Sequence, residues 1–576
     1  MRHVYVIVSA LAFVACGPSA QHHGDDDGSG GTDANADAPT PLPHTVSGIS
    51  IDPLNTTLQL GLNAPAQQAF TVTAQYADGT TEDITQTATW TVANPAVGTF
   101  TTPPTLDVPG FTVATAVSSK LTASYMGVDG IAQITVVATR PEDFFFILPY
   151  NDTVNNPATQ PLTFATAVPA LDVFMLMDVT GSMGGEIVNL KSALTSTVVP
   201  GVQAAVANSQ FGVGAFADFV SGNSYGTTNC HSSGTTWDQP FKLFTPITNS
   251  TTTVQTAVNG LSNGATPVGC GGDGPESAIE GIYQSATGAG ITGPSPNSVT
   301  AAPIGWRAGT MPVVLAISDA QTHGKNEATN TCSGTNFSYN ASVSATAHSR
   351  DEAKAALAGI CARVIGIAST PQTDPQCDSR SYMTDFSTTT GARVPPAAWD
   401  FTGTRPAGCA ANQCCTKING AGEAPDGDGL CPLVFQIASD GTGISTSVVT
   451  GIQMLTRFAT FDVTHTSMGV ATDVDGNALP NGHTTADFLK AITPTGSTVP
   501  APPPVITPPT FDATNFHNVT PGTQIKFAVD AYNDFVMPTD QPQIFHATIQ
   551  VLAGGCTPLD QRDVLILVPP SDIVIN

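Results

Sequence analysis

Charge is scarce in this chain. Only 11% of its 576 residues are Asp, Glu, Lys or Arg, against roughly 25% in soluble domains. Positive charge is scarcer still, with 18 Lys and Arg against 45 acids and a net charge of −27. Such a surface repels polyphosphates and anionic bilayers, so nucleic acid and a membrane surface are excluded as partners, whereas divalent cations suit it. No apolar run beyond the N-terminus reaches transmembrane length, so membrane attachment must come through lipid. The cysteines between 409 and 431 lack two CxxC pairs at finger spacing, which argues against zinc there. No base–nucleophile constellation is visible, so the chain is not expected to be an enzyme.

What is present is small and polar. Gly and Pro number 54 and 45, and Ser, Thr and Asn dominate the polar positions, as in β-rich, loop-rich extracytoplasmic proteins. The length suggests three to four domains. Arg2 and His3, the apolar run 4–15 and Cys16 read as a secretory signal, residues 1–16. Phe13-Val14-Ala15-Cys16 resembles a bacterial lipobox, with Phe13 in place of the usual Leu; an ordinary cleaved signal is the alternative. The resemblance implies acylation of Cys16, and Gly17 implies sorting to the outer membrane, with periplasm-facing and secreted forms as alternatives. Removing Cys16 from 11 cysteines leaves an even ten, as expected of disulfides in an exported chain. Residues 17–44, with His22, His23 and Asp25 to Asp27, have nothing to bury and read as a flexible tether.

The remainder divides by periodicity. Residues 45–139 alternate in the strand period, with turn signals such as Asp78-Gly79, and read as a β-sandwich. Their string from Ala74 to Thr85, followed by Ala88-Thr89-Trp90, resembles the bacterial Ig-like group 2 domain, which implies a spacer with Trp90 in its core. Residues 140–170 are strand-like. From 171 to 463 short apolar strands alternate with amphipathic helices, the pattern of a doubly wound α/β sheet. Residues 464–576 return to strand signals. The fold class is therefore multidomain: an Ig-like β-sandwich, an α/β doubly wound Rossmann-like domain and a C-terminal β-sandwich, to which 140–170 could also contribute with the α/β domain inserted.

The sharpest feature follows the apolar run Leu171 to Met177. Asp178, Thr180 and Ser182 place one carboxylate and two hydroxyls beyond a buried strand, hard oxygen ligands for Mg²⁺, Mn²⁺ or Ca²⁺. Asp319 also directly follows a strand. Taken with Gly272-Asp273-Gly274-Pro275-Glu276, with Trp306-Arg307 and the string Ser318 to His323, and with Ile437 to Gly441, this order of motifs resembles the von Willebrand factor A domain of integrin β-subunit type. The resemblance implies a metal-ion-dependent adhesion site built from Asp178, Thr180, Ser182, Glu276 and Asp319. Its Mg²⁺ or Mn²⁺ would complete its shell with an Asp or Glu carboxylate of a protein ligand. It also implies adjacent cations, Ca²⁺ among them, where this chain keeps Glu186 beside the first loop and Asp273 and Pro275 beside the second. Gly185 precedes Glu186 where a second acid is expected, and Gly271 stands where an Asn is expected. Thr266 rivals Glu276 as second-loop ligand.

Other motif matches are coincidental. Gly269-x-Gly271-x-x-Gly274 lacks the following acid of a dinucleotide fingerprint. Gly222-x-Ser224-x-Gly226 lacks the strand and helix of a nucleophile elbow. Asp473 to Asn477 and Asp426 to Gly429 lack the closing Glu of a calcium loop and read as hairpin turns. The expected function is a surface lipoprotein that captures a protein ligand through a cation. The alternative is a structural component of a surface assembly, in which the A domain makes subunit contacts.

Overall fold

The computed structural model describes residues 44–570 apart from 155–157, 222–223, 228–237, 264–267, 294–295, 328–330, 333, 370–374 and 402–404. The signal with Cys16, the tether up to residue 43, Thr266 and part of the 222–226 motif lie outside the described residues. No described helix is long and apolar enough to cross a membrane.

Residues 46–139 form three small sheets around one core. Strand alternation does the sorting: in Thr71–Tyr76, Val72, Ala74 and Tyr76 are buried while Thr71 and Gln75 face solvent. Trp90 is half-buried beside Phe70 and Phe100. Ala116 and Val137 of this unit pack on Ile544, Leu565 and Leu567 of the C-terminal sandwich.

That sandwich draws strands from both sides of the α/β domain. Phe144–Ile147 runs parallel to Thr557–Val568 in a six-stranded sheet. Ala158–Ala165 runs antiparallel to Gln524–Ala531 in the facing three-stranded sheet. Phe146, Phe164, Phe516, Phe527 and Phe545 lie in the core between them.

The α/β domain carries the site. Its strands are β1 (Leu171–Asp178), β2 (Ser209–Phe216), β3 (Lys242–Thr248), β4 (Met311–Ser318), β5 (Arg363–Ala368) and β6 (Val434–Gln436), in the order β3-β2-β1-β4-β5-β6. Its main helices are α1 (Gly184–Ala193), α2 (Thr251–Asn259), α3 (Ala278–Thr287), α4 (Arg350–Gly359), α5 (Arg380–Thr389) and α6 (Ile444–Phe458). The middle of β1, residues 173–177, is apolar because both faces are covered: Val173, Met175 and Met177 enter one core, Phe174 and Leu176 the other. The periodic positions Ile187, Leu190, Leu194 and Val198 are all buried, although α1 gives way at Leu194 to a π-helical turn before the helix Val199–Ala205. The sheet departs from all-parallel at its edge. The chain goes from β2 to β3 through 217–241, where no helix is described, and β3 pairs antiparallel with β2; a parallel strand would need a crossover of a dozen or more residues, usually a helix.

Disulfides join Cys332 to Cys377, Cys361 to Cys556, Cys409 to Cys415 and Cys414 to Cys431, and Cys270 is disulfide-bonded as well. The 409–431 cluster is thus closed by two disulfides. Cys361–Cys556 fastens the loop between α4 and β5 to a hairpin of the C-terminal sandwich. Bonds of this kind persist in oxidising compartments and mark an exported protein.

Candidate metal centre

Parallel sheets open a crevice beyond the carboxyl ends of their strands where the strand order reverses, here between β1 and β4. Asp178 is the last residue of β1, and Asp319 directly follows β4. Beyond β1 the chain turns around its own carboxylate: Asp178 Oδ1 accepts the Thr180 amide at 2.9 Å and the Thr180 hydroxyl at 2.7 Å. Ser318 Oγ donates to Asp178 Oδ2 at 2.6 Å.

Three loops then lock onto one another. Gly181 N–H donates to the Cys270 carbonyl at 3.0 Å, tying first loop to second. Ser182 Oγ donates to Asp319 Oδ1 at 2.9 Å, tying first to third. Glu276 N–H donates to the Gln321 carbonyl at 2.8 Å, and His323 N–H to the Glu276 carbonyl at 2.7 Å, tying second to third. Gly271 lies at the crossing, with φ +75°. A Cβ there would sit 2.4 Å from Glu276 Oε1 and 3.2 Å from Thr180 Cβ. Any side chain at 271 would therefore intrude between two of the candidate ligands.

Thr180, Ser182, Glu276, Asp319 and Asp273 line one open cavity of about 310 Å³, and Asp178 is fully buried behind Thr180. Among the described residues no Lys or Arg pairs with Asp178, Glu276 or Asp319. Burial and the Asp319 charge push the Asp178 carboxyl up to about 7. Burial and four neighbouring carboxylates hold Glu276 well above its ordinary range. Asp319 is raised by burial as well. Glu276 Oε2 is buried without a hydrogen-bond partner. Desolvated carboxylates whose nearest charges are other carboxylates are costly in their ionised form unless a cation joins them. The carboxylates and hydroxyls of Asp178, Thr180, Ser182, Glu276 and Asp319 are a hard-oxygen donor set, of the kind that would suit a divalent ion.

The other candidate residues fall on different sides of this centre. Glu186 is buried in α1; its Oε1 accepts the Ser369 hydroxyl at 2.5 Å, and its Oε2 has no partner. Asp273 and buried Pro275 belong to the second loop. Gly185 and Gly441 approach so closely that a Cβ on Gly185 would lie 2.5 Å from the Asp440 carbonyl carbon, bringing the 437–441 segment onto the start of α1. Trp306 and Arg307, by contrast, lie at the opposite edge: Arg307 pairs with buried Asp172 at 2.6 Å near the start of β1. Asp473 to Asn477 and Asp426 to Gly429 are turns closed by their own first Asp, which accepts the Asn477 and Leu430 amides respectively.

Two acids near the site, Asp238 and Asp218, lie outside the motifs, and His323 ends the third-loop string without a role of its own in them. Asp238 accepts the Thr227 and Cys270 amides, both at 2.6 Å, and burial pushes it up to about 6. Asp218 and His323 join Asp273 in a cluster whose potential ligand atoms all lie within 4.8 Å of one another. Asp218 could have been found, since it lies two residues beyond β2, at the same end of the sheet where Asp319 directly follows β4.

The chain matches no family model and no curated protein. Among solved structures it is similar to a von Willebrand factor type A protein from Catenulispora acidiphila, with TM-score 0.26, 11% identity, and 74% of this chain and 72% of that one covered. It is also similar to the pilus adhesin SpaC from Lactobacillus rhamnosus GG in its open conformation, with TM-score 0.26 and 11% identity, covering 72% of this chain and 46% of that one. Superpositions this loose carry no weight for the site, which rests on strand order and loop geometry.

Proposed function

We propose that this protein is a surface adhesin whose α/β domain holds Mg²⁺ or Mn²⁺ and captures a protein ligand through that ligand's Asp or Glu carboxylate. The observation that carries the reading is the meeting of three loops at the β1/β4 crevice, with desolvated carboxylates and hydroxyls around one open cavity. A hard ion there, held by protein on its inner side, keeps a position open toward the cavity. The motif order supports an A domain of integrin β type. The Ig-like unit would serve as spacer and the acylated Cys16 as outer-membrane anchor. The centre is read as binding and not catalytic, because it presents carboxylates and hydroxyls without a base poised on a nucleophile.

The test is capture of surface proteins on the immobilised full-length chain, with and without chelator, for wild type and Ser182→Ala. Capture should vanish with chelator, return with Mg²⁺ or Mn²⁺, and fail in Ser182→Ala. Capture that ignores chelator and variant alike defeats the adhesion reading. If Asp178→Ala leaves capture intact but lowers the melting temperature, the ion is structural, as in an assembly subunit.

A further inference from the structure

The seam between the α/β domain and the C-terminal sandwich holds a cavity of about 260 Å³. One wall belongs to the α/β domain, with Lys354 of α4, Arg363 at the start of β5 and Thr390 just beyond α5. The other is the hairpin turn of the sandwich at Ala553 and Gly554. The Cys361–Cys556 disulfide fastens the two walls together. β4 and β5 run parallel, with Val313 beside Arg363 and Ser318 beside Ala368. The cavity therefore lies at the end of the sheet opposite Asp319.

Its chemistry is the reverse of the adhesion centre's. Among the described residues no Asp or Glu lines it. Lys354 is already engaged, its Nζ 2.7 Å from Asp385 Oδ1. Arg363 has no such partner. Every other described arginine except exposed Arg457 pairs with a carboxylate, in a chain with 18 cations against 45 acids. Arg363 has only the Thr390 carbonyl, to which Nη1 donates. Gly391, at φ +71°, makes room for that contact, since a Cβ there would collide with Nη1. Capping the end of α5 in this way accounts for Nη1 and for no other donor of the side chain.

Nε and Nη2 make no hydrogen bond among the described residues, and neither is sealed from solvent. Together they form one flat edge of the guanidinium, whose parallel N–H bonds match two oxygens of a carboxylate or phosphate. Burial lowers this guanidinium from its ordinary value, and no acid offsets the effect. A desolvated charge in that position is costly unless a counter-ion joins it.

We propose that the seam cavity binds a small organic oxyanion, gripped in bidentate fashion by Arg363 Nε and Nη2. Met311, Ala358 and Ala553 offer its carbon body an apolar wall, and its charge is the one Arg363 lacks. The site needs no metal and shares no residue with the adhesion centre, so either reading can fail alone.

Butyrate and inorganic phosphate serve as probes, each titrated calorimetrically into the full-length protein at constant ionic strength with chloride as background. Wild type and Ser182→Ala should bind butyrate saturably, and phosphate more weakly for want of a carbon body. Butyrate should also raise the melting temperature of both. Arg363→Lys keeps the charge without the flat edge and should weaken binding roughly tenfold or more, the loss of one hydrogen bond to a charged group. Arg363→Gln should abolish binding, whereas Arg457→Gln should bind as wild type does. Wild type that binds neither probe, or butyrate that binds Arg363→Lys and Arg363→Gln as tightly as wild type, overturns the proposal. Phosphate that binds more tightly than butyrate overturns the organic ligand and leaves an inorganic ion in its place.

Discussion

β1 carries a buried aspartate near each end, and the two are treated in opposite ways. Asp172 sits near its start and Asp178 at its finish, both with no exposed surface. Asp172 accepts the Arg307 amide and guanidinium at 2.7 Å each and the Thr310 hydroxyl at 3.0 Å. Asp178 accepts only hydroxyls and one amide, and the nearby charge that acts on it is another carboxylate. A buried charge with its own cation fastens a fold, whereas one left among like charges makes a place for an ion from solution.

Breaking the fastened end should have the largest effect. Arg307→Ala leaves Asp172 buried and unpaired, at a cost of about 3–5 kcal/mol in chemical unfolding. A loss below 1 kcal/mol would erase the contrast. At the open end, Asp178→Asn should change metal-free stability by no more than about 1 kcal/mol, since an amide keeps an acceptor for Thr180. The same variant should abolish the Mg²⁺-dependent gain, which in wild type at a hundredfold excess over Kd is about 2.7 kcal/mol. A smaller loss is expected from Gly271→Ala, about 1–2 kcal/mol for an L-residue held at positive φ, accompanied by weaker Mg²⁺ binding as Glu276 is displaced. Unchanged Mg²⁺ affinity there would remove Glu276 from the ligand set.

The gentlest contrast is a pH profile. Folding lifts the Asp178 carboxyl from 3.8 to about 7. Between those values the folded state holds a proton that the unfolded chain has released, so metal-free stability should fall as pH rises from about 4 through about 7. Saturating Mg²⁺ favours the ionised form and should flatten or reverse that slope. Thermal melts across this range, with and without Mg²⁺, read the difference. A metal-free protein whose stability rises over the window would show that Asp178 is not desolvated as described.

What could be read in the sequence follows from local physics. The apolar runs of β1 and β4 mark strands buried on both faces, and the residues that follow them must emerge at one edge, so Asp178 and Asp319 were legible as neighbours. The buried face of α6, Ile444, Val448, Ile452 and Leu455, shows in its spacing. Chemistry that depends on contacts across the fold does not show. Nothing local marks His323 as the partner of Asp218, 105 residues away, or Cys361 as that of Cys556, 195 residues away. Arg307 shows how proximity in sequence misleads: it precedes β4, yet it serves the opposite edge of the sheet from Asp319.

The most direct test is calorimetric titration of Mg²⁺ into the chelator-treated full-length chain near neutral pH, compared with Asp178→Ala and Ser182→Ala. Saturable binding is expected in wild type, with more protons released at lower pH, and none at this site in either variant. Mg²⁺ that fails to bind wild type, or binds all three alike, would contradict a cation centre at the β1/β4 crevice.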